Sequence, residues 1–223
     1  MSTFQQPRPL NYFRIAWQSA LAAALCLGLP AGLLLWLILF QRINHSPLAD
    51  PLINFLRANG LYSIYIVVIS SMIWSYLLGR ISGYHSWWRL AVASALGILA
   101  AWFSPLANID GILYKYQPGL PIHLNYAASM VGLIGSVTLF VGLAYGLILR
   151  SIKAALTIGL TTSFISVLVL LLTILVFDRL GIRVGTGNLA MVRVTTVDLI
   201  TSALAGGMAL GVGFTRFCRR IAQ

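Results

Sequence analysis

The chain has 223 residues, of which 59% are hydrophobic and only 9% are charged. Soluble domains carry about 25% charged residues, so this composition excludes an ordinary water-soluble fold and predicts an all-α integral membrane protein. Lys and Arg number 15 against four acids, which gives a net charge of +11. Because the cations stand mostly at the ends of apolar runs, they predict membrane topology and contact with anionic lipid at the cytoplasmic face. With no basic block in the chain, we expect no nucleic-acid partner.

The first apolar stretch is uncharged from Ile15 to Phe40, which is longer than the ~20 residues that a helix needs to cross a bilayer. Small side chains recur at every fourth position, and on a helix they form one row that lets another helix approach closely. This row consists of Ala16, Ala20, Ala24, Gly28 and Gly32. It is either a packing face within the chain, a face for a partner protein, or a product of composition alone. Pro30 lies inside the stretch and predicts a kink.

Five further apolar runs follow, and we predict one membrane domain over residues 1–223 that is a bundle of six transmembrane helices. The predicted spans cover about residues 15–40, 61–78, 87–105, 124–149, 154–177 and 195–214. Small residues predict helix packing in three of the later spans, at Ala93, Gly97, Ala101, Gly142, Gly146, Ala203, Gly207 and Gly211.

Three connecting segments are long enough to have structure of their own. In the first outer loop, Asp50 suits an N-cap, Pro51 a first helical position and Gly60 a C-terminal stop, so we predict a short interfacial helix there. The second, Leu106–Leu124, is predicted to be irregular.

The third segment, Asp178–Val194, is either a small hairpin or an extension of the sixth helix capped by Asn188. We prefer the helix, because LAMVRVTTVDLI runs into the last span without a breaker.

Six spans place the N-terminal tail, loops 2–3 and 4–5, and the C-terminal tail on one side. The cations on that side are Arg8, Arg14, Arg80, Arg89, Arg150, Lys153, Arg216, Arg219 and Arg220, and no acid accompanies them. Loops rich in Lys and Arg stay in the cytoplasm. We therefore expect a multi-pass protein of the cell (plasma or inner) membrane with both termini cytoplasmic.

Asp198 is the only acid within a predicted span. A carboxylate inside the membrane is a candidate functional site, because its burial is costly. It could bind a cation or a substrate amine, or relay a proton. The structural alternative is an ion pair near the outer interface with Arg193, Arg179 or Lys115.

Motifs for catalysis, metals or cofactors are missing from the sequence. The chain has no Glu, so it has no HExxH motif, and its three histidines, His45, His85 and His123, all fall in predicted loops. Cys26 and Cys218 have no CxxC spacing. We predict no catalytic residue, no metal site and no cofactor, and we disfavour an enzyme.

Two non-enzymatic functions remain. The preferred one is a transporter subunit that binds or translocates a small solute. Six spans, both termini inside, no soluble domain and a small-residue row on the first span resemble, in architecture alone, the substrate-binding subunits of energy-coupling-factor transporters. The alternative is an accessory or assembly subunit that packs against other membrane subunits of a larger complex. A polar pocket near Asp198 would favour transport, and solid packing there would favour the alternative.

Overall fold

The computed structural model describes residues 11–30, 69–116, 122–181 and 188–222. Within these residues every regular element is helical. Residues 31–40 of the first predicted span, which include Gly32, residues 61–68 of the second span and the predicted interfacial helix lie outside the described residues.

The described helices, in chain order, are seven. They are α1 (Tyr12–Ala23, continued by a π-helical turn at Ala24–Gly28), α2 (Ser71–Ser82), α3 (Trp87–Trp102), α4 (Ile109–Tyr116), α5 (Ile122–Ile148), α6 (Ile152–Arg179) and α7 (Asn188–Ala222). Three of their segments are long and apolar enough to cross a membrane, namely Leu124–Ile148, Ile152–Arg179 and Thr195–Arg219. The protein is therefore a helical membrane protein.

Helix α1 is capped by the side chain of Asn11, which accepts a 3.0 Å hydrogen bond from the Arg14 backbone N–H. Its π-helical turn at Ala24–Gly28 lies directly before Pro30, and the Leu29 N–H bonds to the Ala24 carbonyl. A proline has no N–H to continue the helical ladder, and a π-turn is one of the known causes of helix bending. The irregular geometry thus falls where the sequence predicted a kink.

Neighbouring helices run antiparallel and approach closely at glycines. On α5, Gly142 lies against Gly159 of α6, and a β-carbon on Gly146 would overlap the backbone of Ala155. Helix α3 meets α5 in the same way, because a β-carbon on Gly97 would lie 2.8 Å from the Cα of Val141. The missing side chains let the backbones pack directly, which is how helices associate in lipid.

Helix α7 lies between α1 and α6. A β-carbon on Gly28 of α1 would lie 3.0 Å from the Cα of Ile200, and Gly207 and Gly211 face Ser19. On the other side, Gly206 faces Ser166 of α6. The direction of these contacts brings the start of α1 to the same end of the bundle as the end of α7.

That end also holds the α2–α3 loop and the α5–α6 turn. The Tyr84 ring in the loop lies 5.6 Å from the Phe214 ring of α7, and the Tyr145 ring near the end of α5 lies 5.6 Å from the same ring. The described cations at this end are Arg14, Arg80, Arg89, Arg150, Lys153, Arg216 and Arg219, and no described acid lies among them. We call it the cation-rich end.

Two connecting segments bear on the sequence predictions. The prediction that Leu106–Leu124 is irregular was wrong in its first part, because a 3-10 turn at Pro105–Asn108 leads directly into α4. The Ser104 side chain accepts a 3.1 Å hydrogen bond from the Leu106 N–H, and a proline at the first position favours helix initiation. For the third connecting segment, the sequence allowed a hairpin or a helix. From Asn188 onward the structure has the helix, because α7 begins at this residue.

Helix α6 has the largest lipid-facing surface of the three membrane-length helices. Only 17% of its most apolar window is buried, against 44% for α5 and 39% for α7. Its buried residues share one face, and the opposite face exposes Leu160, Leu168, Leu171, Leu172 and Leu175. The exposed face of α6 is thus mainly leucine, whereas its buried face also holds Thr162 and Ser166.

Candidate functional site

The carboxylate of Asp198 is completely buried, one turn inside the apolar part of α7. It lies in the half of the bundle away from the cation-rich end. The Tyr126 hydroxyl, from the first turn of the apolar part of α5, lies 2.7 Å from Asp198 Oδ2 and 3.1 Å from Thr195 Oγ1. An ionised carboxylate can only accept and is a stronger acceptor than a hydroxyl, so the single phenol proton is donated to Asp198.

Tyr126 is held in place by apolar packing from three helices. It forms a buried cluster with Met130 and Ile134 of α5 and Leu170 of α6, and Leu199 of α7 packs against this cluster. The phenol oxygen therefore points out of an apolar cluster towards Asp198, the one buried acid among the described side chains, which fixes the geometry of the pair.

The second carboxylate oxygen is the unusual feature of the site. Asp198 Oδ1 is buried and has no hydrogen-bond partner in the described part of the chain. A buried polar group without a partner costs about 1–3 kcal/mol, and more when it is charged. The site thus holds an acceptor that is shielded from solvent and available to a donor or a cation.

Hydroxyl groups continue from Asp198 towards the cation-rich end. Ser202 lies one turn along α7 and is 2% exposed, and across from Gly206, one further turn on, Ser166 of α6 is fully buried. A β-carbon on Gly206 would lie 2.7 Å from Ser166 Oγ, so the two helices touch there. Thr162 is one turn further along α6. Among the described residues, the hydroxyls of Ser202, Ser166 and Thr162 have no hydrogen-bond partner.

We call Asp198, Ser202, Ser166 and Thr162 the polar file. It ends at an apolar layer, because Ile158, about one turn further along α6, belongs to a buried apolar cluster with Leu210 and Phe214 of α7 and Tyr145 of α5. The file therefore begins at Asp198 and gives way to this apolar layer towards the cation-rich end.

Of the three cations that the sequence suggested as partners of Asp198, the structure describes the side chains of two. Arg179 and Lys115 are exposed, and neither forms an ion pair with Asp198. The side chain of Arg193 lies outside the described residues. Of the described side chains, only Tyr126 binds the carboxylate.

The predicted packing residues lie mostly in the interior. Ala20, Ala24, Gly28, Ala93, Gly97, Ala101, Gly142, Gly146, Gly207 and Gly211 are buried, whereas Ala16 and Ala203 are partly exposed. Gly28 and Ala203 nevertheless meet, since a β-carbon on Gly28 would lie 3.1 Å from that of Ala203.

Other reactive side chains do not join the site. Both cysteines are free, with Cys26 buried in α1 and Cys218 half-buried near the end of α7. His85 is exposed in the α2–α3 loop, while His45 and the side chain of His123 lie outside the described residues. Within the described ranges, no group of three His, Cys, Asp or Glu side chains is placed to hold a metal ion.

Tyr126 was missed as a site residue by sequence reasoning. A usable signal existed, because Tyr126 and Asp198 stand at similar depths from the starts of their predicted spans, 124–149 and 195–214. The buried serines carried a weaker signal, since Ser202 follows Asp198 by one helical turn.

Comparison with known proteins gives no relative for this chain: no family model, no curated protein and no solved structure matches it.

Proposed function

We propose that the protein is a six-span transporter subunit whose small solute or coupling ion binds at Asp198. The observation that carries the proposal is the carboxylate itself, which is fully buried within a membrane-length helix and has one oxygen held by Tyr126 and the other unpartnered in the described part of the chain. Ionisable groups inside membranes mark substrate, ion or proton pathways.

The chemistry of the site favours a positively charged ligand. Asp198 contributes the one negative charge, and the described side chains around it add hydroxyl oxygens and no cation. Carboxylate and hydroxyl oxygens suit a primary ammonium group, a monovalent metal ion or a proton. An anionic solute would meet the carboxylate without a compensating charge.

The polar file gives the ligand a direction of travel. From Asp198 to Gly206 the rise along α7 is about 12 Å, and from Ser166 to Thr162 along α6 it is about 6 Å. Together they span about 18 Å of a ~30 Å hydrocarbon core. The apolar layer around Ile158 and Phe214 closes the remaining distance to the cation-rich end, as a barrier that a transport cycle would have to open.

An accessory or assembly subunit is the alternative, and it would use its small-residue rows to bind other subunits. The glycine contacts described above are made within the chain, between α1 and α7 and between α5 and α6. That use leaves fewer close-packing faces for partners and weakens the alternative.

We further propose that the cation-rich end is cytoplasmic and that the protein resides in the cell membrane. Seven described cations and no described acid at that end satisfy the rule that positive loops stay inside. Asp198 then lies near the outer face.

The test begins with the protein as isolated from its native membrane. Mass spectrometry of bound small molecules identifies candidates, and thermal stabilisation by a panel of primary amines and alkali-metal chlorides ranks them. In proteoliposomes, uptake of the best probe and the response of an enclosed pH dye measure transport. Asp198→Asn is expected to weaken binding by about 30-fold or more, because the ligand loses its counter-charge.

The matched control is Asp178→Asn, which removes an exposed acid at the end of α6. It is expected to leave binding and transport within twofold of the parent. Equal behaviour of the two variants with every probe would reject Asp198 as the binding group and favour the assembly subunit.

A further inference from the structure

A cavity lies at the cation-rich end, far from Asp198. The end of α2, the α2–α3 loop and the start of α3 line an open cavity of about 420 Å³. Its lining includes Tyr76, Arg80, Tyr84, His85 and Trp87. Neither the polar file nor the transport proposal uses these residues.

The backbone of the loop holds the cavity in shape. Gly83 ends α2 in the left-handed conformation, with φ of 75°, and the Tyr84 N–H bonds back to the Gly79 carbonyl at 2.9 Å. A β-carbon on Gly79 would lie only 3.0 Å from the Tyr84 carbonyl oxygen, so the close return favours glycine there. The Tyr84 ring packs on Phe214 of α7, which ties the loop to the bundle.

The lining chemistry suits a phosphate group. Arg80 brings a fixed positive charge with several N–H donors, and Tyr76, Tyr84 and His85 add further polar groups. The two acids whose side chains are described, Asp178 and Asp198, lie towards the other end of the bundle, so neither competes for Arg80.

The position of the cavity suits the head group of a lipid. Tyr76 and Trp87 form an edge-to-face ring pair at 5.8 Å, and the neighbouring Trp88 is 56% exposed. Tyr and Trp side chains collect at the membrane–water interface, and basic pockets between helices at the cytoplasmic side bind anionic head groups.

We propose that this cavity is a binding site for a phosphate group at the cation-rich face, supplied by an anionic phospholipid. Arg80 binds the phosphate oxygens and the Tyr76–Trp87 pair borders the site on the apolar side. A free phosphate ion has the same recognised chemistry without the acyl chains, so the experiment has to separate the two sources.

The experiment uses the purified full-length protein and native mass spectrometry, with thermal stabilisation as a second readout. The probes are phosphatidylglycerol, phosphatidylcholine and inorganic phosphate, each titrated separately. Phosphatidylglycerol is expected to bind with about fivefold or greater preference over phosphatidylcholine, and Arg80→Gln is expected to remove that preference. Arg80→Lys keeps the charge and is expected to retain part of it.

Arg89→Gln is the matched control, because Arg89 has the same charge at the same end but lies over the Trp88 ring instead of in the cavity lining. It is expected to keep the preference within twofold. Equal losses in Arg80→Gln and Arg89→Gln would show that only diffuse surface charge attracts the lipid and would overturn the site. Saturable stabilisation by inorganic phosphate that Arg80→Gln abolishes, with no preference among lipids, would assign the site to the free ion.

Discussion

The Tyr126 phenol and the Asp198 carboxylate, 72 positions apart in the sequence, are joined by a 2.7 Å hydrogen bond across the interface of α5 and α7. The bond is buried and its acceptor carries the only charge described in the interior. Hydrogen bonds to charged groups contribute more than those between neutral groups. The bond therefore does two things: it fixes the separation of two helices and it orients the carboxylate.

Tyr126→Phe is expected to lower the free energy of unfolding by about 1.5–3 kcal/mol, because the charged acceptor loses its donor. The measurement is denaturant unfolding in a fixed detergent. Tyr145→Phe is the control, since Tyr145 is also a buried tyrosine but its hydroxyl lies 3.2 Å from the neutral Ser75 hydroxyl. The Tyr145→Phe control is expected to lower the free energy of unfolding by about 0.5–1.5 kcal/mol. Equal losses would mean that Asp198 is not charged when it accepts the bond.

Gly146→Ala is expected to destabilise the protein by about 1–3 kcal/mol, because the new methyl group overlaps the Ala155 backbone and α5 has to move away from α6. Gly213→Ala on α7 is the control. Its β-carbon would meet Ile158 at 3.5 Å, an ordinary contact, and alanine favours a helix over glycine by about 1 kcal/mol. Thermal unfolding in detergent compares the two. A stable Gly146→Ala variant would contradict the close α5–α6 contact.

Gly28→Leu tests the row on the first span. A leucine there would overlap the backbone of α7 at Ile200. We therefore expect the free energy of unfolding to fall by about 1–3 kcal/mol. Leu25→Ala changes an exposed position of the same helix turn and is expected to alter stability by less than about 0.5 kcal/mol. If Gly28→Leu is as stable as the parent, the row faces lipid and not α7.

Sequence periodicity and hydropathy predicted the long helices well, because a span is defined locally by an unbroken apolar run. The bounds of α5 and α6 differ from the predicted spans by about two residues at each end. Helix α4 was missed because Ser104 and Pro105, which start the 3-10 turn that leads into it, fall at the end of the third predicted span. Asp198 could be singled out as the one acid in a span, whereas its partner and the unpaired hydroxyls depend on which helix faces meet. Single-sequence periodicity carries little information about those pairings.

Membrane orientation can be tested on a chain in which Cys26 and Cys218 are replaced by Ala. Ile152→Cys places a thiol beside the α5–α6 turn, where the parent residue is 75% exposed, and Leu180→Cys places one at the other end, where it is 66% exposed. In intact cells, a membrane-impermeant maleimide is expected to label Leu180→Cys and to reach Ile152→Cys only after permeabilisation. The opposite pattern would reverse the proposed topology.

The last prediction separates a ligand role for Asp198 from a structural one by the sign of a stability change. A binding carboxylate with no described cationic partner is costly to bury, so Asp198→Asn is expected to leave stability unchanged or to raise it by about 1–2 kcal/mol while it abolishes ligand binding. If Asp198 instead pairs with Arg193, the same substitution leaves a cation unpaired and lowers stability. Arg193→Gln in the Asp198→Asn background would then recover part of the loss, and a double-mutant cycle would report the coupling. Unfolding in detergent and binding of the ranked probe are measured on all four proteins. Strong coupling between the two positions, together with unchanged binding, would remove Asp198 from the proposed site, whereas independent effects with lost binding would keep it there.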